Sequence, residues 1–217
     1  MFKYTQEFVL NKLFNENSIR IGTLKGYRDM EAKHGISDAF EGSYDDALSL
    51  DYFSGSDIHT NPELNNAVKG AINVPNSSEF KFYNTKVTTK QESCNFLMYC
   101  CSLKLDRTLF KEFEDAEVCY EIHKPESFIH LITWALKKEL GCNVTFAGVH
   151  AVSYKDYERK RMSPSEELIH PAIAKTPEFA NQFEVRFLWH APEDKINKPF
   201  YDLNVAGLRK CCRQVTC

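Results

Sequence analysis

The chain has 217 residues, of which 43% are hydrophobic and 26% charged, with a formal net charge of −3. That is the composition of a soluble globular protein able to bury about 70% of its unfolded surface, and it provides no global field drawing the chain to nucleic acid or anionic membrane. No apolar run approaches the ~20 residues that span a bilayer, and the opening Met-Phe-Lys-Tyr-Thr-Gln-Glu lacks a signal-peptide core, so a cytoplasmic location with no membrane partner is expected.

In chain order, Phe2-Lys3-Tyr4 reads as a short first strand. Thr5 reads as the N-cap of a helix over residues 6–15, with Glu7 in the first turn where a carboxylate complements the helix dipole. Val9, Leu10, Leu13 and Phe14 form its apolar stripe, and Asn15-Glu16-Asn17 stops it. Residues 18–24 follow as a strand, with Ile19 and Ile21 on one face and Arg20 and Gly22 on the other, so the opening unit is β-α-β. Residues 25–60 show weak periodicity. Residues 27–31 read as a helical turn and residues 35–42 as a structured loop carrying Asp38 and Glu41. Asn61 and Pro62 are an N-cap and first-turn pair for a short helix to Lys69. Residues 80–87 have strand character.

Residues 95–103 form a continuous apolar run, predicting a central strand buried on both faces. A helix is expected over 106–114, then a strand in which Val118, Tyr120 and Ile122 alternate with Cys119 and Glu121. The clearest helix starts at Pro125, carries Phe128, Ile129, Ile132 and Leu136 on one stripe, and ends at Gly141. Residues 144–154 read as a strand with an irregularity at Gly148. The basic stretch 155–161 reads as a solvated loop. Thr176-Pro177 opens a short helix through Ala180, which delivers the chain into residues 182–189. No repeat or linker interrupts this series, which predicts one α+β domain over 1–217.

The stretch 182–189 is the most informative. Alternation points Phe183, Val185, Phe187 and Trp189 one way and Gln182, Glu184 and Arg186 the other, with Leu188 beyond them. An apolar side is normally buried, whereas three polar groups in line need water, partners or a ligand. Either the strand is half-exposed with a Glu–Arg pair on its wet face, or Glu184 is the working carboxylate of a cleft.

Other chemistries have weaker signals. The eight cysteines contain no Cys-x-x-Cys pair and the seven histidines no His-x-x-x-His, so no metal site is expected. Cys100 and Cys101 read as small core hydrophobes. There is no Gly-x-Ser-x-Gly elbow and no Walker loop. The remaining polar set is Arg20, Thr23, Tyr27, Arg28, Asp38 and Glu41 near the start, with Gln182, Glu184 and Arg186 near the end.

Residues 19–24, Tyr27-Arg28, Gly35-Ile36-Ser37-Asp38 and Glu41-Gly42, together with Lys175, residues 179–186 and Trp189, resemble a family of bacterial cytosolic proteins of unassigned activity. The chain is also distantly similar to ADP-ribosyltransferases of the DNA-modifying toxin branch. Those proteins open with a strand-helix-strand unit that grips NAD and end with a catalytic Glu on a late strand, often preceded two positions earlier by Gln or Glu. Gln182-x-Glu184 is similar, and Lys3-Tyr4-Thr5 takes the place of the first motif. The resemblance implies a split mixed or antiparallel sheet with flanking helices and NAD as substrate. It also implies a nucleic-acid or protein acceptor, in a toxin or antiviral-defence setting. Glu184 and Gln182 would be catalytic, the first stabilising positive charge at C1′ or holding the ribose 2′-hydroxyl, the second orienting the acceptor. Tyr4, Arg20, Thr23, Tyr27 and Arg28 would bind NAD, an arginine meeting the pyrophosphate and Tyr27 stacking on nicotinamide. Asp38, Glu41 and Arg186 would meet the acceptor. The rival readings are a non-catalytic binding or regulatory module, and a metal-dependent nuclease using Asp38, Glu41 and Glu184.

Overall fold

The computed structural model describes residues 1–29, 40–73, 75, 79–113 and 115–216. Its elements in order are β1 (Phe2–Thr5), α1 (Glu7–Glu16), β2 (Ser18–Thr23), α2 (Leu24–Asp29), β3 (Ser43–Ser54), α3 (Gly55–Thr60), α4 (Pro62–Val68), β4 (Lys81–Glu92) and β5 (Leu97–Ser102). There follow β6 (Val118–Ile122), α5 (Pro125–Leu140), β7 (Thr145–Ala151), β8 (Ser153–Tyr154), β9 (Glu158–Arg161), β10 (Ala174–Lys175), β11 (Glu184–His190), β12 (Phe200–Asn204) and β13 (Cys212–Val215). The chain is α+β, as its alternating patterns predict.

Eight strands form one antiparallel sheet, and β5 lies at its centre. Along one edge β5 pairs with β11 from Glu184↔Ser102 to Trp189↔Leu97. The other edge is shared: β2 pairs at Gly22↔Met98 and Thr23↔Leu97, and β1 at Phe2↔Ser102. Between those contacts Tyr99, Cys100 and Cys101 meet neither strand. There Lys3 Nζ donates a hydrogen bond to the carbonyl of Cys100 at 2.9 Å. The sheet therefore parts in its middle, with β1-β6-β13 on one side, β2-β12 on the other, and α1 joining the two lips.

Alternation on β5 and β11 sorts the interior. Leu97, Tyr99, Val185, Phe187 and Trp189 face the stripe of α5 formed by Phe128, Ile132 and Leu136, in the main hydrophobic core. Each such side chain contributes roughly 1.5–3 kcal/mol by leaving water. Trp189 Nε1 donates to Thr133 Oγ1 at 2.8 Å, so its polar edge is also satisfied. The opposite faces carry Met98 and Leu188 into a smaller core with Leu24, Phe96 and Ala172. Both strands are thus covered on both sides, as the 95–103 run predicts for β5. The long β3–β4 hairpin has its own core of Phe53, Ile58, Leu64, Val68 and Val87, closed by α3 and α4. Asn61 caps α4 by accepting from Glu63 and Leu64 N–H.

Several boundaries differ from the sequence reading. Thr5 belongs to β1, and Gln6 is the first cap of α1 with no side-chain bond. The helix expected over 106–114 is a 3₁₀ turn, Arg107–Lys111. The helix expected from 177 to 180 is a 3₁₀ turn, Pro177–Gln182. Phe183 is not on the buried face: it is left-handed (φ 47°), 44% exposed, and β11 begins after it. The basic stretch 155–161 is no solvated loop throughout, because β9 pairs with β3 and buries Arg161 against Asp46. That pair also hid β3 from the periodicity, since Ser43 and Asp46 occupy buried positions normally apolar. At Gly148 (φ 131°) the expected irregularity is present, as a register shift between β7 and Leu188/Trp189 of β11.

Candidate active site

A cleft of about 800 Å³ opens over the parting of the sheet. That volume is within the range of sites for nucleotide-sized ligands. Its walls come from both ends of the chain: Tyr4 from β1, Thr23 from β2, Tyr27 from α2, Glu41, and then Gln182 and Glu184. The stretch Ile196–Phe200 closes one side and Phe113 with Ala116 another.

Glu184 is 7% exposed and Arg186 wholly buried, because β11 is a central strand. Of the two readings of this strand, the half-exposed one with a wet Glu–Arg face is therefore corrected. A row of ion pairs compensates for the lost water. Arg186 Nε donates to Glu184 Oε1 at 2.7 Å, Arg186 Nη1 lies 2.5 Å from Glu41 Oε1, and Lys175 Nζ reaches Glu184 Oε2 at 2.9 Å and Gln182 Oε1 at 3.0 Å. Arg186 Nη1 also donates to the Ala172 carbonyl at 2.7 Å. The Glu184 backbone N–H donates to Tyr154 Oη at 2.7 Å, which fixes the start of the strand. Burial by itself would raise the Glu184 pKa. The charges of Arg186 and Lys175, with their hydrogen bonds, outweigh it and hold this carboxyl well below the usual carboxylate range.

The N-terminal residues are placed with less uniformity. Tyr27 packs its ring across Gly22, where a Cβ would lie 2.4 Å from Cε2 of the ring. Burial pushes its phenol well above the usual value, so the hydroxyl enters the cleft neutral. Thr23 is buried and structural in its contacts, donating to the Pro199 carbonyl at 3.1 Å and accepting from Gly26 N–H at 2.9 Å. Tyr4 stacks on Phe113 and donates from its hydroxyl to the carbonyls of Lys104 and Asp106. Arg20 reaches the rim, but its fork holds Asp202 at 2.7 and 2.9 Å and its plane lies over Phe200. Arg28 does not line the cleft. It ties the Glu41 carbonyl at 2.8 Å to Glu92 at 2.9 Å. Arg186 sits behind Glu184, and Asp38 lies outside the described residues.

Gly22→Ala is expected to expel the Tyr27 ring and cost about 1–3 kcal/mol, read as a lower melting temperature. An unchanged melting temperature would show that the ring does not pack there.

Two residues lacked a role in the sequence reading. Lys175 closes the apolar run Ala172-Ile173-Ala174, and a lysine there is buried only if paired, which is the signal that points to a carboxylate partner. Lys3 carries no comparable signal. Its position in the parting depends on β5 separating β1 from β2, a long-range fact. Among the described residues no three His, Cys, Asp or Glu groups come together as a metal-ligand set, and no helix is long and apolar enough to cross a membrane.

No protein-family model, curated protein or solved structure matches this chain.

Proposed function

We propose that the cleft binds NAD and that the protein is an ADP-ribosyltransferase-like enzyme acting on a nucleic-acid or protein acceptor. The observation that carries this reading is the convergence of Gln182 and Glu184, from the late strand, with Tyr4, Thr23 and Tyr27, from the opening strand-helix-strand unit, on one cleft. In the reaction the bond from nicotinamide nitrogen to ribose C1′ breaks, and nicotinamide leaves with the electron pair. A lone pair of the acceptor bonds to C1′, and the acceptor's proton passes to solvent. Glu184 suits this chemistry because it stays ionised, and Lys175 and Arg186 use only part of its lone-pair capacity. A ribose hydroxyl can take the remainder. Lys3, with no carboxylate partner among the described residues, is better placed than Arg20 to meet a pyrophosphate, since Asp202 occupies the Arg20 fork.

A second reading rests on the completeness of the ion row. A Glu184 paired on both oxygens also suits a binding module whose polar cluster only fixes the cleft. The nuclease reading has less support, because Arg186 stands between Glu41 and Glu184 where a divalent cation would have to sit.

The test is nicotinamide release from NAD in cell lysate, comparing the native chain with Glu184→Gln of verified fold. Release by the native chain alone supports the transferase. Silence from both, with no thermal shift on adding NAD, overturns it in favour of the binding module.

A further inference from the structure

The 3₁₀ turn Pro171–Ile173 stands just before β10 and packs into the smaller core with Phe96 and Leu188. Its cap is a histidine. His170 Nδ1 accepts a hydrogen bond from the backbone N–H of Ala172 at 3.2 Å. A backbone N–H only donates, so Nδ1 must carry a lone pair and the ring proton sits on Nε2. Ala172 is wholly buried, and its carbonyl accepts from Arg186 Nη1 at 2.7 Å. The N–H of that same peptide, on Ile173, donates to the His170 carbonyl at 3.0 Å. Three residues beyond Ala172, Lys175 reaches Glu184 and Gln182. One short segment therefore supplies two partners of the ion row, the Ala172 carbonyl and the Lys175 ammonium, and His170 caps its start.

The surrounding charges offer a protonated His170 no carboxylate partner among the described residues. His150 of β7 is the titratable group whose field reaches it, and it opposes a second positive charge. The His150 ring is itself turned onto the Ala147 carbonyl at 3.2 Å. Phe96 meets both His170 and His190 of β11 edge-on, with centroids 5.8 and 6.1 Å apart. β3 and β4 also pack on the turn, and their groups are committed elsewhere. Asp46 is held by Arg161, Glu92 by Arg28 and the Tyr44 hydroxyl by the Ile169 carbonyl, while Asp45 lies opposite Lys90. Before the turn, Glu166 accepts from Met162 and Ser163 N–H, and Glu167 is exposed.

We infer that His170 is a proton-operated latch on the ion row of the cleft: its neutral ring caps the turn that supports Arg186 and Lys175, and protonation releases that cap. A proton on Nδ1 turns the acceptor into a donor facing another donor. The ring then has to swing away, which strands the buried Ala172 N–H and loosens the peptide against which Arg186 rests. The direction with pH follows from the surroundings. Burial, then the charge of His150, holds the native ring below the ordinary histidine value of ~6.5. The contribution of the cap is therefore complete above about pH 6.5 and is lost as pH falls through the native value. Glu184 keeps its charge over that range, so the latch acts before the carboxylate does. Nothing in this inference depends on NAD chemistry.

The experiment is thermal unfolding of the full chain from about pH 7.5 to about pH 5 at fixed ionic strength, with histidine-ring and amide NMR on the same samples. His170→Asn is the reference, since asparagine caps a turn without titrating. Across that range the native chain is expected to lose about 2–4 °C more in melting temperature than His170→Asn. At the upper pH the His170 ring should be the Nε2–H tautomer. The Ala172 amide and Arg186 Nε–H signals should both move with the His170 midpoint and stay fixed in His170→Asn. An Nδ1–H tautomer at the upper pH, an equal loss in both chains, or an Arg186 signal indifferent to the His170 midpoint overturns the inference.

Discussion

Arg186→Met is expected to lower the free energy of unfolding by about 3–5 kcal/mol, read as a fall in the urea midpoint. The guanidinium is fully buried and bridges Glu41 to Glu184, so its removal leaves two buried carboxylates without their shared counter-charge. Methionine fills comparable volume, which separates the charge effect from a cavity. The pH dependence has a definite sign. In the native chain Glu184 titrates below its unfolded value of ~4.3. Its contribution is therefore complete above about pH 4.3 and is lost as pH falls from there towards the native pKa. Without Arg186 the Glu184 carboxyl loses its main counter-charge and rises relative to the native chain, and its protonation relieves the cost. The deficit of the variant should narrow between pH 7 and pH 5. A deficit constant across that range would show that the ion row is not what Arg186 stabilises.

Glu184→Gln is expected to be costly in a second way, because it strands Lys175, which is 5% exposed, beside two neutral amides. Adding Lys175→Met removes the stranded charge. The double variant should accordingly be more stable than Glu184→Gln, with a coupling energy on the order of 1–3 kcal/mol between the two positions. The same pair separates chemistry from structure. If Glu184 acts on NAD, Glu184→Gln and the double variant lose about 10²–10³ in nicotinamide release, as for removal of one group that stabilises transition-state charge. Lys175→Met alone keeps the carboxylate on Arg186 and should retain measurable turnover. If the row is only structural, the three variants differ in stability and share one activity. Additive stabilities would instead mean that Lys175 and Glu184 do not form the buried pair.

How legible the fold was depended on the distance over which each pattern acts. The continuous apolar run 95–103 reported a central strand correctly, and alternation in residues 182–189 reported a strand though not that its polar face is buried, because such patterns act within a few residues. The stripe from Pro125 to Gly141 was legible for the same local reason, and so was the irregularity at Gly148. β3 was obscured, since Asp46 is buried only by virtue of Arg161, 115 residues away. Phe183 was placed on the wrong side because a left-handed turn before Glu184 breaks the alternation, and nothing in the residue type announces it.

The site divides along the same line. By itself the sequence determined which residue types were available: a late Gln-x-Glu on a strand, an opening strand-helix-strand, and arginines and tyrosines near both. Only the tertiary structure decided that Gln182, Glu184, Tyr4, Thr23 and Tyr27 share a cleft, that Arg28 stands outside it, and that Arg20 is spent on Asp202. It also decided that Glu184 faces Lys175 and Arg186 rather than water. The reason is physical. Side-chain direction follows from local backbone period, whereas the partner of a buried charge is set by which strands share an edge of β5, and that pairing joins residues far apart in the chain.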